Sequence, residues 1–404
     1  MKLSERWVMC VLVLGYFIDS FDITLFNFVR EASLRGLGVP DDQNSQTGAM
    51  LLNFQLVGLL VGGLLWGMYA DKVGRVKALF GSIAVYGVAT FANAYVTSVE
   101  QYAVCRLIAG IGAGGEAGVT IALVSEIARR EKRAYGIIYV AVAGALAAVV
   151  AAMLVRVVEW QTMYVIGGGM ALVLLAARWL VAESDIFLSA SKTKNVALGN
   201  LSLILRHPER RIRFLACCLL GMPLWFLGSV VVFFAPEITA EMGFTPPFTS
   251  AEVGMFGALG IVFGDVLWAW LSQVLQSRKR AMALSLGSAS LMLLLFTVYP
   301  LEGNAAALKA VLLVVGICTG LPALYMTMVA EQFGTNVRGL VTSTATNIMR
   351  ATSIVMVAGY TALFPIVGYV GGVQVVGGVV LACSVMALYL MRETYAADLN
   401  FIEK

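Results

Sequence analysis

The sequence predicts an all-α integral membrane protein of twelve transmembrane helices, arranged as two pseudo-symmetric bundles of six. The first reason is composition, because 60% of the 404 residues are hydrophobic and only 13% are charged. A soluble domain of this length needs far more surface charge. The second reason is an internal repeat. Glu126 precedes Arg133 by seven positions, and Glu331 precedes Arg338 by the same seven, 205 residues further on. Such an interval indicates two related halves.

Twelve apolar runs are long enough to cross a bilayer as helices, which takes about 20 residues each. In order they are 7–28, 48–70, 78–97, 101–126, 135–156, 161–182, 213–235, 250–272, 281–299, 306–330, 340–363 and 367–391. The longest polar interval lies between the sixth and the seventh run. We therefore predict an N-terminal bundle at 1–182, a cytoplasmic linker at 183–212 and a C-terminal bundle at 213–404.

Lysine and arginine predict the orientation of these helices. They are concentrated in the loops of one side, whereas the other side has only Arg30, Arg35, Arg156 and Lys309. Because positive residues are retained in cytoplasmic loops, we predict that both termini and the linker are cytoplasmic. The first apolar run has no small-residue cleavage site and is predicted to be kept as a spanning helix. We expect the protein in a bacterial cytoplasmic (inner) membrane.

Several function classes are disfavoured by the same sequence. A net charge of only +4 gives no basis for nucleic-acid binding. His207 is the single histidine and the six cysteines lack ligand spacing, so we predict no metal site. The glycine-rich stretches lack the Gly-Lys-Ser/Thr ending of a nucleotide-binding loop. We therefore predict a transporter that is not an enzyme, has no cofactor and uses an ion gradient, with protons as the expected ion.

One loop motif connects the chain to a known family. Residues 67–77, Gly-Met-Tyr-Ala-Asp-Lys-Val-Gly-Arg-Val-Lys, resemble the Gly-x-x-x-Asp-Arg/Lys-x-Gly-Arg-x-Lys/Arg loop between the second and third helices of the major facilitator superfamily. The match is carried by Gly67, Asp71, Lys72, Gly74 and Arg75. A glycine-permitted turn with one carboxylate and several cations at helix ends is suited to holding two helices together.

Two further stretches extend this resemblance over essentially the whole chain. The pairs Glu126–Arg133 and Glu331–Arg338 are similar to the Glu-x-x-Pro-x-x-x-Arg-Gly ends of helices four and ten in that family, without the proline. The second copy of the loop is degraded, because Gln276 stands where the repeat places the acidic residue. The resemblance implies the major facilitator fold and a cytoplasmic latch. The latch residues are Gly67, Asp71, Lys72, Gly74, Arg75, Glu126, Arg133, Glu331 and Arg338.

The resemblance extends to one group within the family. Residues 106–116, from Arg106 to Glu116, look like the Arg-x-x-x-Gly-x-Gly-x-Gly-Gly-Glu stretch of metabolite/proton symporters that carry organic acids. Asp19 and Asp22 are similar to the paired carboxylates in the first helix of those symporters. This similarity implies proton-coupled uptake of an organic anion.

Charged side chains within the apolar runs are the candidates for proton coupling, since each costs at least about 2.5–3.5 kcal/mol to insert. Asp19 and Asp22 lie on one helical face. Two carboxylates so close together do not both ionise cheaply, so we predict that they bind the coupled proton. The alternative is that both are permanently ionised partners of Arg106 and another cation. Glu116 is either a second proton site or a bonding partner of neighbouring backbone.

Arginines and polar residues at similar depth are the candidates for substrate binding. Arg350 is the leading anion anchor, because a guanidinium stays charged and its planar fork matches a carboxylate. Arg106 is either a second anchor or a partner of Asp22 that protonation releases. For Arg350 the alternative is helix packing. The uncharged candidates, each equally able to bond between helices, are Asn53, Gln55, Trp225, Tyr325 and Asn347.

Together these features predict a secondary active transporter that works by alternating access between its two halves. The favoured function is proton-coupled uptake of a small organic anion or carboxylated metabolite. The alternative is a proton-driven efflux pump for a drug-like or siderophore-like compound. A non-transporting membrane receptor is a third class, although it would not need charges at membrane depth. The expected partners are a small-molecule substrate and the lipid bilayer, and we predict a monomer.

Overall fold

The structure is a computed structural model that describes residues 5–127, 133–178, 204, 206–298, 304–334 and 337–395. In the N-terminal half it contains seven α-helices among these residues, and a short 3-10 helix, Asp41–Gln43, precedes the second. They are α1 (Glu5–Gly36), α2 (Asn44–Val73), α3 (Arg75–Asn93), α4 (Val99–Ala113), α5 (Glu116–Ile127), α6 (Arg133–Leu154) and α7 (Trp160–Arg178). Helices α4 and α5 follow one another across a short turn and form one span, Val99–Ile121.

The C-terminal half begins inside the predicted linker, at Pro208. Its helices are α8 (Pro208–Leu220), α9 (Met222–Phe226), α10 (Ala235–Glu241), α11 (Ser250–Val274), α12 (Arg278–Val298), α13 (Ala305–Thr319), α14 (Pro322–Glu331) and α15 (Arg338–Leu390). A π-helical stretch, Leu227–Val232, continues α9. Helix α15 is interrupted at Gly368, where φ is +78°, and this break separates the predicted eleventh and twelfth spans.

Ten helical segments of the described residues are long and apolar enough to cross a membrane, with α15 counted once. The largest difference from the predicted spans is at the end of the first, because α1 continues from residue 28 to Gly36. The apolar run stops where charge begins, whereas the helix continues until Gly38, at φ +77°, and Pro40 end it. Of the predicted linker, residues 183–203 and 205 lie outside the described residues.

Glycines allow very close helix packing, and they do so in the same way in both halves. A Cβ atom on Gly62 would lie 2.0 Å from the carbonyl oxygen of Ile111, and one on Gly264 would lie 2.3 Å from that of Ile317. A tryptophan one turn further on donates to the same carbonyl in each half, Trp66 at 2.9 Å and Trp268 at 2.7 Å. The packing of α2 on α4 is thus repeated by α11 on α13.

Polar contacts join the two halves at several depths. Towards one end, Arg30 Nη2 of α1 lies 2.8 Å from Glu237 Oε1 of α10, and Asn27 Nδ2 donates to the Gly228 carbonyl at 3.3 Å. Towards the other end, Asn347 Nδ2 of α15 donates to the Gly114 carbonyl at 3.1 Å. A central region lies between these contacts.

Replacing Gly62 by alanine tests the glycine packing. The added methyl group meets a rigid backbone carbonyl, so the helices must separate, and we expect a loss of about 1–3 kcal/mol of stability. Gly169→Ala on α7 is the matched control, because no atom lies within 4 Å of its Cβ position in the structure. Thermal unfolding in detergent measures both variants. Equal stability of the two would contradict the packing argument.

Candidate functional site

A central cavity of about 180 Å³ lies between the two halves. Its wall is mainly apolar, with side chains such as Ile23, Leu52, Leu56, Leu224 and Leu227. The polar side chains that line it are few: Tyr16, Ser20, Thr24, Asn27, Gln55, Trp225, Ser229 and Arg350. Since α1, α2 and α6 supply one wall and α11, α15 and the π-helical stretch the other, any movement of the halves changes this cavity.

Arg350 provides the positive charge of the cavity. Its guanidinium carbon lies 5.3 Å from the centre of the Trp225 ring, a cation–π distance. Its Nη2 atom lies 3.7 Å from Asp19 Oδ2, and this ion pair joins α15 to α1. Within the described part of the chain, Nε and Nη1 of Arg350 have no hydrogen-bond partner. The guanidinium therefore keeps donors available for a bound anion.

Asp22 and Arg106 occupy a separate place inside the N-terminal half. Asp22 Oδ1 accepts a hydrogen bond from Thr90 Oγ1 at 2.6 Å, and Asp22 interacts electrostatically with Arg106. The Arg106 guanidinium packs over the rings of Phe26 and Tyr164, at 5.0 and 5.9 Å from their centres. Arg106 is not among the residues that line the central cavity. The structure thus separates the two predicted anion anchors.

Glu116 has a partner that the sequence reasoning missed. Its carboxylate is fully buried and receives two hydrogen bonds from Arg178 at the end of α7, one of them from Nη1 at 2.9 Å. Thr120 Oγ1 donates to the same carboxylate at 3.1 Å. Arg178 lies near the predicted cytoplasmic end of the sixth span, where a cation is expected and needs no explanation. The only sequence signal for the pair was therefore the acidic charge of Glu116.

The uncharged candidates fall into different environments. Gln55 and Trp225 line the central cavity, and both amide atoms of Gln55 lack a hydrogen-bond partner among the described residues. Tyr325 lines a smaller neighbouring cavity of about 40 Å³ and donates to the Cys217 carbonyl at 2.9 Å. Asn347 bonds across the halves to Gly114, and Asn53 lies on α2 outside the cavity lining. The polar lining residues that the sequence did not predict are Tyr16, Ser20, Thr24, Asn27 and Ser229.

The predicted cytoplasmic latch is visible only in part. Gly74, at φ +122°, forms the turn between α2 and α3, Gly67 lies within α2, and Arg75 begins α3. The side chains of the other N-terminal members and of one C-terminal member lie outside the described residues: Asp71, Lys72, Glu126, Arg133 and Arg338. In the second copy, Glu331 Oε1 lies 3.5 Å from Arg278 Nη2.

Glu393 and Thr394, among the last described residues, add further contacts to this second copy of the latch. Glu393 accepts a hydrogen bond from Ser277 Oγ and bonds from the backbone N–H groups of Arg278 and Lys279, at 2.9 and 3.2 Å. It thereby caps the N-terminus of α12, next to the position where Gln276 replaces the acidic residue. Thr394 Oγ1 donates to Glu331 Oε2 at 2.8 Å and ties the segment to the end of α14.

Acidification tests this cap. Burial alone would raise the pKa of Glu393, but the hydrogen bonds from Ser277 and the backbone lower it to about 2. A carboxyl whose pKa falls on folding stabilises the protein above its unfolded pKa, and this contribution is lost as pH falls towards 2. We expect Glu393→Gln to melt earlier than the unsubstituted protein at pH 7, with a difference that shrinks on acidification. A constant difference would contradict the capping role.

Removing one charge of the Glu116–Arg178 pair tests its structural role. Glu116→Gln leaves Arg178 buried without a counter-charge, which costs about 3–5 kcal/mol. Glu116→Gln combined with Arg178→Met should recover part of this loss. Glu252→Gln is the control, because its pair with Arg156 is partly exposed and worth at most about 1 kcal/mol. If Glu116→Gln is no less stable than Glu252→Gln, the pair is not structural.

A sequence profile described as Major Facilitator Superfamily matches residues 12–359. The chain therefore belongs to the major facilitator superfamily, a family of membrane transporters and not of enzymes. A solved structure of a proton:xylose symporter superposes with a TM-score of 0.76 over 98% of each chain, at 14% sequence identity. The predicted family and the predicted fold are both confirmed.

Two curated relatives are similar over much of the sequence. The gentisate transporter of Corynebacterium glutamicum is 26% identical over 369 residues, covering 87% of this chain and 80% of that protein. The 3-(3-hydroxy-phenyl)propionate transporter of Escherichia coli strain K12 is 30% identical over 263 residues, covering 62% of each. A shorter match, to a putative metabolite transport protein of Haemophilus influenzae, is 33% identical over 177 residues, and this chain spans only 42% of that protein's length.

Proposed function

We propose that this protein is a secondary active transporter that takes up a small organic anion together with a proton. The observation that carries the proposal is the Arg350 guanidinium in a largely apolar cavity between the two halves. A cation without full pairing is costly at this depth, and a substrate carboxylate would satisfy the free donors. Alternating opening of the two halves around the cavity would then move the anion across the membrane.

The cavity favours an anion with a compact apolar body. An apolar cavity of about 150 Å³ holds a benzene molecule, and the cavity here is of similar size at about 180 Å³. Gentisate and 3-(3-hydroxyphenyl)propionate, the substrates in the names of the two relatives, each join one ring to one carboxylate. Ring hydroxyls of such acids would find Gln55 and Asn27 in the wall. We propose single-ring carboxylates as the substrate class.

The direction and the membrane location are part of the proposal. An efflux pump for amphiphilic compounds would be served better by an aromatic cavity without a fixed cation, so Arg350 favours uptake. Protons are the proposed coupling ion because the first helix contains a pair of buried carboxylates, one of which could bind the proton. The positive loops favour a bacterial inner membrane with both termini cytoplasmic, and we propose a monomer.

Substitution of Arg350 tests the anion site. Purified protein should bind gentisate or 3-(3-hydroxyphenyl)propionate, and it should bind the uncharged primary amide of gentisate much more weakly. Arg350→Ala should weaken acid binding about tenfold to a hundredfold, as expected for a lost charged hydrogen bond. Arg350→Lys should also bind more weakly, because the planar fork is lost.

Arg35→Ala is the matched control, since Arg35 pairs with Asp41 at the surface and lies away from the cavity. Isothermal titration calorimetry in detergent compares the four proteins. The proposal fails if Arg350→Ala binds the acids as tightly as the unsubstituted protein, or if neither acid binds in preference to the amide.

A further inference from the structure

Two buried ion pairs in this protein are built very differently. Glu116 and Arg178 lie within one half and are joined by two hydrogen bonds. Asp19 and Arg350 lie in different halves, 3.7 Å apart at their nearest atoms. In the described portion of the chain, neither carboxylate oxygen of Asp19 has a hydrogen-bond partner. The first pair is a closed structural contact, whereas the second leaves hydrogen-bonding capacity unused on both sides.

We propose that Asp19 and the carboxylate of the transported anion compete for Arg350, and that Asp19 takes up the coupled proton when the anion displaces it. This inference rests on the proposed function and assigns its coupling step to one residue. Arg350 lines the cavity and can be reached by the anion, whereas Asp19 is fully buried behind it. A substrate carboxylate that binds the free donors of Arg350 withdraws the cation from Asp19.

The charges around Asp19 explain why displacement leads to protonation. Of the charged groups around Asp19, Arg350 has the strongest electrostatic effect on it. The other charged groups are Glu116, Asp22 and Arg178. Arg178 is already engaged by two hydrogen bonds to Glu116. Once Arg350 is taken, Asp19 faces two carboxylates and a cation that is neutralised elsewhere. The Tyr16 hydroxyl interacts with both Arg350 and Asp19, and the Tyr86 hydroxyl interacts with Asp19, but neither hydroxyl carries a charge that could replace Arg350. The ionised form then costs too much in a dry site, and the carboxylate binds a proton.

The proton balance of this step is simple. The proton comes from water on the side to which the cavity is open, and it binds an Oδ atom of Asp19. After the halves have moved, the anion leaves on the other side, Arg350 returns to Asp19, and the proton is released there. One proton accompanies one monocarboxylate, so transport carries no net charge. Binding of the anion and of the proton must strengthen each other equally.

The Asp22–Arg106 pair is the competing location for the coupling step. Asp22 already accepts a hydrogen bond from Thr90, and Arg106 is enclosed by Phe26 and Tyr164. Neither charge lines the central cavity, so a bound anion has no direct access to this pair. Direct competition is therefore possible at Asp19 and not at Asp22.

The experiment compares Asp19→Asn with the matched variant Asp22→Asn, one turn away on the same helix. The dissociation constant of gentisate is measured from pH 5 to pH 9 in nanodiscs, and of 3-(3-hydroxyphenyl)propionate in parallel. For the unsubstituted protein, the dissociation constant should rise about tenfold for each unit by which the pH is raised, over the range in which Asp19 is ionised in the empty protein. The reason is that one proton is bound with each anion. Asp19→Asn should bind tightly with no such dependence, and Asp22→Asn should keep it.

Transport in proteoliposomes provides the second measurement. Asp19→Asn should still exchange labelled gentisate between the two sides, which also shows that it is folded, but should not concentrate it in response to a pH gradient. Uptake by the unsubstituted protein should not respond to an imposed membrane potential. If Asp19→Asn keeps the pH dependence of binding, or if Asp22→Asn alone loses it, the inference is wrong and the proposed anion transport still stands. If the unsubstituted protein binds neither acid, the proposed function itself has failed.

If Asp19→Asn does not fold, the pH dependence of anion binding by the unsubstituted protein still tests the coupling step. Binding that does not change with pH from 5 to 9 overturns the coupling step. Binding that weakens steadily with rising pH in both the unsubstituted protein and Asp22→Asn supports it, because Asp22 is then excluded as the group that binds the proton.

Discussion

The high cost of a charge inside the membrane constrains this structure more than any other interaction. A buried ion without a partner loses its hydration and gains nothing in return. The chain meets this constraint with contacts of graded strength. Glu116 and Arg178 form a two-bond pair, Asp265 accepts a hydrogen bond from the backbone N–H of Ala323 at 2.8 Å, and Asp19 and Arg350 are joined only loosely. The two strong contacts lie within single halves, whereas the loose pair of Asp19 and Arg350 lies between the halves.

Each half is made rigid by the same backbone contacts. Gly62 and Gly264 bring two helices so close that no side chain fits between them, and Trp66 and Trp268 bond to the carbonyl that each glycine faces. Such packing changes little when the halves move. Between the halves, α6 packs on α11 and α2 on α15, and polar contacts such as the pair of Arg30 and Glu237 are added to this packing. In the proposed transport cycle, movement would therefore occur at the boundary on which the cavity lies.

The sequence predicts the fold well because hydropathy and the Gly74 loop act locally, and both are visible in a single chain. It also indicates Arg350, since an arginine in an apolar run needs an explanation. It could not indicate which charges meet. Arg178 looks like an ordinary cytoplasmic-side cation until the fold brings it to Glu116. Glu393 caps α12 from more than a hundred residues away, and the degraded motif at Gln276 gives no sign of it.

The contrast between the two ion pairs has a mechanistic reason. A carrier that alternates between two states needs both to be of similar free energy, because a large difference would trap it in one of them. A fully bonded pair such as Glu116–Arg178 across the boundary would impose such a difference. The Asp19–Arg350 pair is 3.7 Å apart, and Asp19 has no hydrogen bond among the described residues. In the proposed mechanism this pair is weak enough for a substrate carboxylate to replace it. It is still strong enough to keep the empty site from holding an unpaired cation. If the proposed function holds, an intermediate strength at this one contact would let the same arginine stabilise the empty carrier and bind the anion.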